Sequence, residues 1–256
     1  MGNNPELARA YAAEIVAIRP DVILASGTVA LTALFRETKK VPIVFVNVTD
    51  PVAGGFVQSL SNPGGNVTGF TPFEYEIAGK WLEQLKAISP KTSRVALLGD
   101  PQNHNFAGFS RAFEVSAARL SVQPVSAPVQ TAEQIEFAMT SMAATPNGGV
   151  IVTAAIFSLL HRPLIVSLAR SKRLPAIYWT RFFPANGGLM SYGPNTDELH
   201  KRSADYVDRI LKGALPAQLP VQEATKYESV LNLSAARDLG LALPQQLMLS
   251  IDELIS

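Results

Sequence analysis

PIVFVNVTDPVAGGFVQSLSNPGGNVTGF, Pro42 to Phe70, decides the fold. It opens on Ile43 to Val46, four apolar and mostly β-branched residues in a row. Such a run reads as a strand buried on both faces. It then breaks into Asn47, Thr49 and Asp50, closed by Pro51. The break sits at the strand's carboxyl end, where open α/β sheets bind ligands. The same apolar run with a polar end recurs along the chain. Strands are expected at Asp21–Ala25, Arg94–Leu98, Val150–Thr153 and Ala176–Trp179, and helical spacing fills the intervals. Strand–helix alternation with short turns predicts parallel sheets covered on both faces.

More than ten elements at this length predict two doubly wound lobes rather than one. The chain has 256 residues, 47% of them hydrophobic and 17% charged, enough to bury a core. The expected order break lies at Phe70 to Glu76, with a second crossing at Gly193-Pro194-Asn195. The predicted lobes are 1–72 with 194–222, and 73–193 with 223–256. A chain that crosses more than once makes a hinge with a cleft, and strand-end crevices and interlobe clefts both favour ligands.

Charge and composition exclude several classes. A formal net charge of +1 leaves no electrostatic footprint for nucleic acid. There is no cysteine, so thiolate metal sites, disulfides and Cys nucleophiles are ruled out. No apolar stretch reaches the length of a membrane span, and Met1-Gly2-Asn3-Asn4 does not read as a secretory signal.

Several strand ends carry candidate contacts. Ala25-Ser26-Gly27-Thr28 joins a strand to a helix. Ser26 and Thr28 either cap that helix or meet ligand, and Gly27 lets a ligand approach the backbone. Thr49-Asp50-Pro51 is either a plain turn with a local Asx bond or a contact in which Asp50 pairs a ligand ammonium. Asn62 to Gly69 lacks the P-loop lysine and the dinucleotide spacing, so it reads as a turn. Further on, Asp100, Asn103 and Asn105 follow one strand and are candidates for polar contacts. Thr153, Phe157 and the run Tyr178-Trp179-Thr180-Arg181-Phe182 end other strands. Alternation puts two of the three rings in that last run in the core. Trp179 could wall an aromatic ligand, and Arg181 could fork onto its carboxylate. His104, His161 and His200 have no metal-ligand spacing. No nucleophile elbow or HExxH appears, so neither catalytic residues nor a cofactor are expected.

PIVFVNVTDPV, SNPGGNVTGF, GGLMSYGP (Gly187 to Pro194), YVDRILKG (Tyr206 to Gly213) and Leu219 to Leu241 together resemble the bacterial ABC-transporter substrate-binding proteins of the tryptophan/tyrosine-type uptake family. The resemblance runs from about Asp21 to Glu253. It implies two lobes of the type I periplasmic-binding fold, ligand capture without catalysis, and delivery to permease and ATPase subunits. It implies a periplasmic or lipid-anchored extracytoplasmic location, with membrane contact only through the permease. By motif position it implies ligand contacts at Ser26, Gly27, Thr28, Thr49, Asp50, Pro51, Asp100, Thr153, Phe157 and Trp179. Family members usually begin with a further strand, helix and strand, so a first lobe truncated at its N-terminus, and with it a possible homodimer, is expected. Family members often carry acids around Arg181. Arg181 beside aromatics here suits an aromatic or other carboxylate lacking an ammonium group, within an expected ligand class of small carboxylates, amino acid or aromatic acid. Alternatives are a ligand-sensing regulatory domain and, further off, a doubly wound enzyme.

Overall fold

A computed structural model describes residues 5–103 and 105–256. The chain divides into two compact units: Met1–Glu74 with Pro194–Lys226, and Tyr75–Gly193 with Tyr227–Ser256. The polypeptide therefore passes from one unit to the other three times.

The first unit holds α1 (Pro5–Ala17), β1 (Ile23–Ser26), α2 (Thr28–Glu37), β2 (Ile43–Val46), β3 (Val67–Thr71), α8 (Thr196–Leu211) and β9 (Gln222–Glu223). The sheet order is β1-β2-β3-β9, and every pair is parallel. Alternation along β2 splits its side chains between two cores. Ile43 and Phe45 pack with Leu31, Leu34 and Val67 on the α1/α2 face. Val44 and Val46 join Phe70, Leu199, Tyr206 and Ile210 on the α8 face. All four β2 residues are buried, as the apolar run predicts.

The second unit holds α3 (Ile77–Ile88), β4 (Arg94–Gly99), α4 (Asn105–Arg119), β5 (Gln123–Pro128), α5 (Ala132–Ala143), β6 (Gly148–Val152), α6 (Ile156–Leu160), α7 (Arg162–Ser171), β7 (Ala176–Tyr178) and β8 (Met190–Pro194). Then come β10 (Tyr227–Asn232), α9 (Leu233–Asp238), α10 (Gln245–Leu249) and β11 (Glu253–Ile255). The sheet order is β11-β10-β8-β7-β6-β4-β5. Ala96, Leu98, Val150, Val152, Ala176 and Tyr178 share one core with α5 and α7 residues such as Ile135, Met139 and Ile165. The alternate residues Val95, Leu97, Ile151 and Ile177 are equally buried and serve the opposite face, so the sheet is wound on both sides.

Two differences from the sequence reading have local causes. The helical interval expected between Val150–Thr153 and Ala176–Trp179 holds two helices, α6 and α7, broken at His161 so that Pro163 falls in the first turn of α7. The last strand, β11, was not expected. It pairs in parallel with β10, and a three-residue strand has too little periodicity to register in sequence.

Candidate functional site

The second unit has a topological switch point. β4 is followed in the chain by β5 on one side and then by β6 on the other. The carboxyl ends of β4, β6 and β7 are adjacent and point the same way because their pairings are parallel. Ligand crevices open at such a point. Asp100, Asn103 and Asn105 follow β4, Thr153 to Ala155 follow β6, and Trp179 follows β7.

Hydrogen bonds tie these three loops together. Asp100 Oδ1 accepts the Gln102 N–H at 2.9 Å, an Asx turn. Asn103 Nδ2 reaches across the switch point and donates to Ala154 O at 3.3 Å, while its Oδ1 accepts the Asn105 N–H. Tyr75 Oη donates to Asn105 Oδ1 at 3.2 Å, linking the first residue of the unit to the loop. Gly108 makes room for that ring, since a Cβ there would stand 2.5 Å from it. Thr153 is 2% exposed, and its hydroxyl donates back to Leu98 O at 3.2 Å. The buried Ser158 hydroxyl sits beside two carbonyls, Ala155 O at 2.8 Å and Thr153 O at 3.1 Å, and accepts the Trp179 indole N–H at 3.3 Å.

Alternation expects two of the run's three rings in the core, but only Tyr178 is, because β7 ends there and the chain turns. Tyr178 and Phe183 are fully buried and stacked 4.4 Å apart. Phe182 is exposed, and Trp179 is half-buried at the rim. Burial pushes the Tyr178 hydroxyl well above the usual tyrosine range. Phe157 is 7% exposed, with its ring against His161 at 4.2 Å. Arg181 has other partners than expected. Its Nη2 forks onto both oxygens of Glu253 at 2.9 and 3.0 Å, and its Nη1 lies 3.8 Å from Glu228. Those carboxylates belong to β11 and β10, so the guanidinium is already engaged within the unit.

In the first unit the candidates lie at the ends of β1 and β2. Gly27 takes φ +83°, a conformation that L side chains rarely adopt, and donates its N–H to Val46 O at 2.9 Å. No side-chain hydrogen bond caps α2, so neither Ser26 nor Thr28 serves as its cap. After β2, both Asn47 (φ 59°) and Asp50 (φ 47°) are left-handed, which suits Asx residues better than other L residues. Asp50 Oδ1 accepts the Ala53 N–H at 2.9 Å, the local bond of a turn. Thr49 and Pro51 are buried. Asn62 to Gly65 form a turn in which Gln58 N–H donates to Pro63 O at 3.0 Å. Ser26, Gly27, Thr28 and Thr49-Asp50-Pro51 thus share the carboxyl edge of one sheet.

Two of the histidines make local bonds, His161 Nδ1 with Phe157 O and His200 Nδ1 with Thr196 O. His104 lies outside the described residues. Among the described residues no group of three or more His, Cys, Asp or Glu could hold a metal. No helix among them is long and apolar enough to cross a membrane. Tyr75 and Ser158 were not singled out from sequence. Tyr75 lies in the segment between the units, away from any strand end, and Ser158 is hidden in an apolar helix.

The family described as ABC transporter substrate binding protein matches residues 2–255. The chain belongs to this family. This substrate-binding protein is 24% identical over 236 residues to a tyrosine-binding protein of Clostridioides difficile (strain R20291), spanning 90% of this chain and 66%, just under two thirds, of that relative. A conserved domain protein from Vibrio cholerae has the same fold, with TM-score 0.90 and 26% identity over 98% of this chain and 84% of that one. So does an ABC domain from Streptococcus pneumonia solved in complex with L-Trp, with TM-score 0.91 and 24% identity over the same shares. The substrate-binding protein therefore has the α/β periplasmic-binding fold that the sequence motifs imply.

Proposed function

We propose that the chain captures a small aromatic molecule bearing a carboxylate, an aromatic amino acid foremost, and delivers it unchanged to the permease and ATPase subunits of an ABC importer. Family membership supports the transport role. The half-open Trp179 at the switch-point rim is the observation that carries the aromatic preference. The names of a tyrosine-binding relative and an L-Trp-bound neighbour point the same way. No catalytic residue, cofactor or metal enters this reading. The protein works outside the cytoplasm, in a periplasm or on a lipid anchor, and meets the membrane only through its permease.

The proposed contacts are Trp179, Asp100, Thr153 and Asn103 in the second unit, and Ser26, Gly27, Thr28, Thr49, Asp50 and Pro51 in the first. Phe157 backs this wall from the core, and Arg181 is left outside the contact set because Glu253 holds it. Ligand that binds the folded form raises thermal stability by mass action, about 2.7 kcal/mol at a hundredfold excess over Kd. L-Tyrosine, L-tryptophan and L-phenylalanine should raise the melting temperature, and Trp179→Ala should abolish most of the rise. Stabilisation by a sugar and by none of these would refute the reading. Homodimerisation has a candidate surface in Tyr11, Ile15 and Ile18 of the α1 region, all exposed. Sedimentation of the wild type against Tyr11→Lys tests it, and a wild-type monomer would end it.

A further inference from the structure

Trp179 follows β7, and nothing in the strand itself fixes its ring. Its indole N–H donates to Ser158 Oγ. An indole N–H is a donor only, so a buried or half-buried tryptophan needs an acceptor at a defined place. Ser158 is suited to that role. It is 1% exposed and sits in α6, and its own proton faces Ala155 O and Thr153 O. A hydroxyl has one proton and two lone pairs. With the proton directed at those carbonyls, a lone pair is left for the indole. The hydroxyl thus joins the β6 loop to the side chain that follows β7.

We infer that Ser158 is a positioning residue that sets the plane of the Trp179 ring and, through it, the protein's preference for aromatic ligands. This rests on the reading that Trp179 touches ligand. Ser158 itself does not. Removing its hydroxyl leaves the indole N–H without its acceptor, so the ring is free to turn about its side-chain torsions and offers a less defined face.

The test uses the full chain and two readouts. The protein has two tryptophans, so a ¹⁵N-correlated spectrum carries two indole signals. Trp81 donates to Tyr192 O at 2.7 Å and is an internal reference. Ser158→Ala should move the Trp179 signal and leave that of Trp81 in place, and Ser158→Thr should restore it. Titrated with L-tyrosine, Ser158→Ala should bind about five- to tenfold more weakly, the scale of one neutral hydrogen bond. Its affinity for the aliphatic probe L-leucine should stay unchanged. Trp179→Phe, which keeps a ring but removes the donor, should lose L-tyrosine affinity to a similar degree, and it serves if Ser158→Ala does not fold. An unmoved indole signal, or wild-type L-tyrosine affinity in Trp179→Phe, overturns the inference. If Trp179→Ala binds L-tyrosine as the wild type does, the ligand role of Trp179 itself fails. If the wild type binds no aromatic amino acid, the proposed ligand class fails, and the indole signals still decide whether Ser158 holds the ring.

Discussion

Gly99, the last residue of β4, sits where the β4 and β6 loops meet. A Cβ built there lies 2.2 Å from Thr153 Oγ1 and 2.6 and 2.8 Å from two ring carbons of Phe106. In Gly99→Ala those neighbours must shift. Overpacking a dense core costs about 1–3 kcal/mol. Thr153 escapes by rotating, which breaks its bond to Leu98 O and costs about 1 kcal/mol more. The expected loss is therefore roughly 2–4 kcal/mol. Thr153→Ala removes the nearest clashing atom, so the two changes must not add. The double variant should be more stable than the sum of the singles predicts by about 1 kcal/mol or more. Both tryptophans, Trp81 and Trp179, belong to the second unit, so urea denaturation followed by tryptophan fluorescence reads that unit alone. Additivity to within roughly 0.5 kcal/mol would refute the packing argument.

Gly69 offers a harsher case. Its Cβ would stand 2.1 Å from Phe45 O and 2.6 Å from Phe45 N, backbone atoms of the neighbouring strand. Gly69→Ala should cost about 3 kcal/mol or more and lower the melting temperature seen by circular dichroism. Near-wild-type melting would mean that β2 and β3 are not paired this closely. The carboxyl of Glu223 is pushed up by its partial burial, and further by Glu74, which shares a hydrogen bond with it and repels its charge. The folded chain then holds that proton more tightly than the unfolded chain, so stability falls as pH rises from the usual glutamate range through the raised value. Glu223→Gln should flatten that decline and gain less than about 1 kcal/mol at neutral pH, since the site is largely exposed; an unchanged slope of stability against pH counts against it. Asp252 behaves oppositely. The Ser229 hydroxyl and N–H hold its carboxyl below the usual range. Its stabilisation is present above that range and disappears as pH falls through the depressed value. Ser229→Ala should cost about 1 kcal/mol at neutral pH and less in acid, checked by melts at several pH values.

The sequence made the sheets legible because β2, β4 and β6 are apolar runs that only burial on two faces explains. The partners of Arg181 were not legible. Glu253 lies on β11, a strand created only by pairing with β10, and long-range pairing leaves no local trace. Ser158 was missed for a related reason: a serine in an apolar helix looks like any small core residue until the indole from another strand arrives. Phe157 lies in α6, which starts at Ile156, and its ring packs 4.2 Å from that of His161, a contact set by the helix rather than by a strand end.

The α8 face of the first unit's sheet carries a consequence for how the chain is made. Val44, Val46 and Phe70 find their apolar partners in Leu199, Tyr206, Ile210 and Leu219, and Thr68 donates its hydroxyl to Leu219 O. All four partners are synthesised after most of the second unit. A nascent chain therefore carries the first three strands with one face bare while the strands from β4 to β8 are already complete. The unit that begins first closes late, and a peptide ending near Glu74 would be a sheet without half its core.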